Sequence, residues 1–155
     1  MKNTIQLLTN FFEKEDWKYT FNEEKSVFTT VIDMNGAIGK LHIYIRVRET
    51  FYTVYTIFNS YAEENNIAYV AEYLHRANYG LINGNFELDY EDGEIRYKTF
   101  VDFEDATISE EIVRDSILLP VFMFDKYGKN LLKILTGGDN PKQLIDEIDN
   151  TEEDA

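Results

Sequence analysis

The residues of this chain that could do chemistry are two histidines, four serines, a carboxylate run around Asp92-Gly93, and a basic and aromatic stripe. Ser26, Ser60, Ser109 and Ser116 all lie outside any Gly-x-Ser-x-Gly elbow, the turn that exposes a nucleophilic hydroxyl. With no cysteine in the chain, thiolate nucleophiles, thiolate metal sites and disulfides are excluded together. His42 and His75, taken with nearby acids, have the donor types for a metal or an acid–base pair. Their settings point instead to an exposed His42, opposite Ile43 and Ile45 on a strand, and to a His75 flanking the apolar stripe of a helix. Asp89, Glu91, Asp92 and Glu94 invite a calcium reading. A twelve-residue calcium loop needs a glutamate six positions after its glycine, and here that position holds Thr99, so a solvated turn is expected. Gly36-x-x-Gly39 and Gly137-Gly138 lack the Lys-Ser/Thr or third glycine of a phosphate cradle and read as turns. No catalytic residue, metal site or cofactor is expected, and the chain does not read as an enzyme.

The stripe is different in kind. His42, Tyr44, Arg46 and Arg48 alternate with apolar neighbours and so share one face of a strand in an otherwise acidic protein. Arg96 and Lys98 alternate with Ile95 and Tyr97 and extend the same chemistry on a second strand. Cross-strand pairing with acids, worth about 0.2–1 kcal/mol a pair, is the simpler account. The functional alternative is a partner-binding face with Tyr and Arg as anchors.

Several elements must hold these residues in place. Ile5, Leu8 and Phe12, widened by Leu7 and Phe11, predict an amphipathic helix over 3–15. Trp17, Tyr19 and Phe21 alternate with polar residues, and the polar Asn22–Lys25 turn leads into a β-branched run from Val27 to Ile32. Leu41, Ile43, Ile45 and Val47 give the cleanest strand, and Phe51–Phe58 the fourth. Short links between the four require an antiparallel meander. The period then changes. Ile67, Val70, Ala71, Leu74, Ala77 and Leu81 mark one face of a helix closing near Gly80. Phe86 and Leu88, the Asp92-Gly93 turn and Ile95–Val101 form a hairpin. Thr107 and Ser109 offer caps for a long apolar helical stretch, which Pro120 is expected to kink or split; Gly128 points to close packing within it. Beyond Gly137-Gly138, a helix over 141–148 is expected to fray into a disordered end. That tail carries seven acids (Asp139, Asp146, Glu147, Asp149, Glu152, Glu153 and Asp154) and one lysine.

Composition bounds the reading. With 155 residues, 44% of them hydrophobic, one self-sufficient core is expected, organised as a domain over 1–137 with an acidic tail over 138–155. A net charge of -14 opposes binding to nucleic acid and to anionic membranes. With neither a signal-peptide pattern nor a long apolar run, a cytoplasmic location is expected.

The segment Glu72–Asp102, EYLHRANYGLINGNFELDYEDGEIRYKTFVD, resembles the YbjN domain family. The likeness is carried by Leu74 and Asn78 on a helix, Gly84, Phe86, Leu88 and Asp89 on a strand, Asp92-Gly93 at an acidic turn, and Arg96 and Lys98 on the returning strand. It extends in kind over 3–136. The resemblance implies an α+β fold like that of type III secretion chaperones, an antiparallel sheet of meander plus hairpin packed against N-terminal, middle and C-terminal helices. Such chaperones are acidic, non-enzymatic, typically homodimeric, and bind extended segments of partner proteins. The expectation is therefore a non-catalytic protein-binding module, chaperone-like or regulatory, acting as a homodimer on a protein partner. The alternative is an acidic inhibitor or immunity-type protein that blocks a basic surface.

Overall fold

The computed structural model describes residues 1–138 and 140–153. Along the chain run α1 (Lys2–Lys14), β1 (Tyr19–Asn22), β2 (Val27–Asp33), β3 (Lys40–Val47), β4 (Phe51–Ile57), α2 (Ile67–Asn78), β5 (Asn85–Leu88), β6 (Ile95–Asp102), α3 (Glu110–Leu135) and α4 (Pro141–Glu153). The strands make one sheet in the order β1-β2-β3-β4-β6-β5, antiparallel at every pairing. The expected meander is therefore present. The hairpin joins it through β6, leaving β5 and β1 at the two edges.

Alternation decides which side is packed. Leu41, Ile43, Ile45 and Val47 are buried, as are Tyr52 and Val54, which lie opposite Val47 and Ile45. Helices cover this side in two groups. Leu8, Phe11 and Phe12 of α1 meet Val113 and Ile117 of α3 over β2, β3 and β4. Val70, Tyr73 and Leu74 of α2, Leu144 and Ile145 of α4, and Phe124 to Ile134 of α3 pack near β5 and β6. Phe124 stacks on Phe58 with ring centroids 5.2 Å apart and meets Phe86 edge-on at 5.4 Å. At Gly128 α3 packs tightly: a Cβ there would sit 3.3 Å from Ile38 Cδ1.

α3 is one helix of 26 residues, capped at Ser109, whose hydroxyl accepts from the Ile112 amide at 3.2 Å. The helix is not split at Pro120, and the reason lies on a neighbouring strand. Proline has no N–H to give the carbonyl four residues back. That carbonyl belongs to Ser116, and the Thr99 hydroxyl of β6 donates to it at 2.7 Å. Ser116 is also tied by its own hydroxyl, 2.8 Å from both the Val113 carbonyl and the Tyr52 hydroxyl. Burial pushes Tyr52 up to about 12, with the Ser116 hydrogen bond opposing, so this network stays protonated at neutral pH. Thr99→Val is expected to lower unfolding stability by about 1–2 kcal/mol, because the Ser116 carbonyl is left buried without a donor. Pro120→Ala restores the missing N–H, so the same Thr99→Val change should cost much less in that background. A urea double-mutant cycle without coupling would refute the substitution of hydroxyl for amide.

The tail departs from expectation as well. α4 extends through Glu153 instead of fraying after Ile148. Asn140 caps it, its Oδ1 accepting from the Lys142 amide at 2.9 Å, and Leu144 and Ile145 are buried against α2 and α3. Asn130 of α3 adds a hydrogen bond of 3.0 Å to the Leu144 carbonyl. Of the acids assigned to this tail, Asp139 and Asp154 lie outside the described residues.

Candidate functional site

The sheet has a second side, and among the described residues no helix packs on it. The register arranges that side in rows. Val31, His42, Ile57, Arg96 and Glu87 lie side by side across β2, β3, β4, β6 and β5. The next row is Thr20, Thr29, Tyr44, Tyr55, Lys98 and Asn85, and the third is Asn22, Val27, Arg46, Thr53 and Phe100. Strand pleating therefore gathers His42, Tyr44, Arg46, Arg96 and Lys98 onto one surface. Arg48 falls just beyond β3, in the turn to β4, where its Nη1 donates to the Val47 carbonyl at 3.0 Å.

Apolar groups stand exposed between these polar ones. Val31 is 50% exposed, Tyr44 41% and Phe100 53%. Phe100 leans on Phe51 at 5.3 Å. Beside Tyr44 is a shallow hollow of about 460 Å³, lined by Lys18, Thr20, Thr29, Val31 and His42 among others. Its floor carries two hydroxyls, those of Thr20 and Thr29, hydrogen-bonded at 2.5 Å. Val31, Phe100, Thr29 and Lys18 escaped the sequence reading. The signal was present in Val27–Asp33, where apolar and polar residues fall on both alternations, so neither parity marks the buried side.

The cations on this face fall into two sets. At the β5–β6 end Glu87 binds both Arg96 Nε, at 2.7 Å, and Lys98 Nζ. Arg96 also lies over the Tyr55 ring, 4.6 Å from its centroid. The expected cross-strand pairing is thus found here. Burial pushes the Glu87 carboxyl up, but the hydrogen bonds and charges of Lys98 and Arg96 outweigh it and hold the group below its ordinary value. A depressed folded-state pKa stabilises above the unfolded value and ceases to do so as pH falls through the folded one. Glu87→Gln should therefore be less stable than the parent at neutral pH, with the gap closing as pH drops below 4.5. Urea midpoints measured from pH 7 to pH 3 check this; a gap independent of pH would refute it. At the β1–β3 end, by contrast, Lys18, Lys40 and Arg46 make no ion pair among the described residues.

The sheet edges are unequal. Asn78, at the end of α2, reaches the outer edge of β5. Its Oδ1 accepts from the Phe86 amide at 2.7 Å and its Nδ2 donates to the Phe86 carbonyl at 2.9 Å. That side chain does what a neighbouring strand would do. β1 ends the sheet on the other side, with no strand beyond it.

The remaining chemical candidates do not converge. His42 is half-buried on the open side, more covered than expected, while His75 is exposed on α2 across the sheet. Asp89 and Asp92 accept from the backbone amides of Glu91 and Glu94, each at 2.8 Å, as turn residues do. Among the described residues, no three His, Asp or Glu side chains are grouped to hold a metal ion. No helix among them is long and apolar enough to cross a membrane.

No family model and no curated protein sequence matches the chain. Solved structures do. The chain is similar to the ExsC–ExsE complex, with a TM-score of 0.57 and 11% identity, over 84% of this chain and 94% of that one. It is also similar to E. coli YbjN, proposed to be a transcription regulator, with a TM-score of 0.59 and 9% identity, over 81% of this chain and 92% of that one. The chain has a YbjN-like fold, in the α+β architecture that the Glu72–Asp102 segment implied.

Proposed function

We propose that this protein is a non-catalytic binding module, chaperone-like or regulatory, that holds a segment of a protein partner on the open side of its sheet. The observation that carries the reading is that uncovered face, where Val31, Tyr44 and Phe100 stand exposed between cations. Burying such aromatic groups against a partner yields binding energy that solvent contact leaves unused. The two structural relatives support it, one being a complex between proteins and the other a proposed regulator. Capture on the face is favoured over strand addition at β5, because Asn78 already occupies that edge.

Self-association into a homodimer belongs to the same proposal. Ile82 is fully exposed and Phe122 58% exposed. Asn83, next to Ile82, shares with Leu118, Leu119 and Phe122 a hollow of about 270 Å³ on the helix side. A cytoplasmic site of action completes it.

The test is affinity capture from native lysate at low salt, with the parent compared against Tyr44→Ala/Arg46→Ala. A protein recovered by the parent and lost in the double variant supports the reading; equal recovery, or none, opposes it. Light scattering of the parent and of Ile82→Asp/Phe122→Asp checks the dimer, which the two charges should dissociate.

A further inference from the structure

The proposed binding face also carries the chemistry that would recognise its partner. We infer that the β1–β3 part of the face seats an acidic segment of the partner, its carboxylates on Lys18, Lys40 and Arg46 and its apolar side chains on Val31 and Tyr44. This rests on the function proposed above and adds the charge of what is bound.

The chain has 29 acids and 15 bases, so a lysine or arginine placed at random meets a carboxylate easily. Elsewhere Lys14, Arg76, Arg114, Lys133 and Lys142 each reach an acid, as do Arg96 and Lys98 at the far end of this face, while Lys2, Lys25, Arg48 and Lys129 make no ion pair among the described residues. Lys18, Lys40 and Arg46 make none either among the described residues, and what sets them apart is that all three sit on one surface. Asp33, opposite Lys40 in the register, is the only acid in the paired positions of β1, β2 and β3; its Oδ1 accepts from the Asn35 amide at 2.9 Å and it makes no ion pair with Lys40. The β1–β3 end is therefore a cationic area on a molecule of net charge -14. Such an area attracts anionic partners while the rest of the surface repels them, which orients the approach.

The local shape specifies more. The hollow between Lys18, His42 and Tyr44 is lined by the Thr20 and Thr29 hydroxyls; one donates to the other, and the second keeps its proton for a carboxylate oxygen. Val31 and Tyr44 flank it with apolar surface, so a segment alternating acidic and aromatic residues would satisfy both chemistries. A second copy docking face to face is disfavoured, since it would set these cations against their equivalents. Nucleic acid is disfavoured because its continuous run of phosphates would extend past this area onto the acidic remainder of the surface.

The experiment uses the full chain and a synthetic decapeptide alternating Glu and Phe, with a Lys and Phe decapeptide as its inverse. Amide chemical shifts in the 15N-labelled protein locate the contact, and anisotropy of the labelled peptide gives the affinity. The expected result is shifts centred on Thr20, Thr29, His42 and Tyr44 with the acidic peptide alone. Affinity should fall with salt and drop about tenfold or more in Lys40→Glu/Arg46→Glu, exposed changes that leave the core untouched. No binding, shifts confined to the helix side, equal binding of the basic peptide at the same residues, or an unchanged affinity in the variant would overturn it. So would concentration-dependent shifts at these residues without peptide, which assign the face to a second copy. Shifts there on deleting 152–155 would assign it to the chain's own end. If the peptide fails while Tyr44→Ala/Arg46→Ala still loses a lysate partner, the charge assignment falls and the binding function stands. If both fail, both fall.

Discussion

Gly93→Ala is expected to lower unfolding stability by about 3 kcal/mol or more, the largest loss from any single added methyl group. Two effects combine. Gly93 has φ +79°, a left-handed conformation that costs an L-residue about 1–2 kcal/mol. A Cβ built there would also lie 2.0 Å from the Ala62 carbonyl oxygen and 3.0 Å from the Ala62 nitrogen, backbone atoms that cannot rotate away. Retreat is blocked, since the Ala62 amide donates to the Gly93 carbonyl at 2.9 Å and the Gly93 amide to the Asp89 carbonyl at 2.9 Å. Gly36 separates the two effects. It has φ +67° with nothing within 4 Å of its would-be Cβ, so Gly36→Ala should show the conformational cost alone. Urea denaturation of both variants decides the matter, and equal losses would refute the role of contact with Ala62.

Asn78→Leu is expected to cost about 2–3 kcal/mol and to make the protein prone to association. Leucine keeps the volume but removes both hydrogen bonds to Phe86. The Phe86 carbonyl retains the Asn85 Nδ2 at 3.2 Å; the amide of this buried residue is left with no replacement. An unsatisfied buried donor carries the full cost of its lost solvation. The edge of β5 is also uncovered, and an open strand edge templates pairing with other chains. Urea midpoints give the first effect and static light scattering over days the second. A stable, monodisperse variant would show that Asn78 is dispensable at that edge.

Sequence legibility followed how each element is packed. β3 could be read because one side of it is buried and the other free, so Leu41, Ile43, Ile45 and Val47 separate cleanly from His42, Tyr44 and Arg46. This alternation and that of β6 placed five of the six proposed site residues on one surface, and Arg48 was lost because β3 ends before it. β2 has apolar residues and threonine on both parities (Val27, Thr29 and Val31 against Phe28, Thr30 and Ile32), and its contribution to the face was invisible. That α3 runs unsplit through Pro120 could not be read, because the Ser116 carbonyl takes its donor from Thr99 on a different element, a contact that no local pattern encodes. α4 was underestimated for a similar reason. Its mean composition is acidic, and only the presence of α2 and α3 gives Leu144 and Ile145 something to bury against. The motif residues from Leu74 to Lys98 have structural work that accounts for them: Leu74 is buried, Asn78 closes an edge, and Gly84 and Gly93 sit in positive-φ turns pressed against backbone.

The long helix has a consequence for how the molecule comes apart. Its first half walls the α1 side of the interior and its second half walls the α2 and α4 side. A rod common to both chambers denies either of them an independent melting point, because emptying one pulls a wall from the other. Heat or denaturant should therefore dismantle the protein in a single step, and a ligand that steadies one end of the sheet will raise the resistance of the far end too.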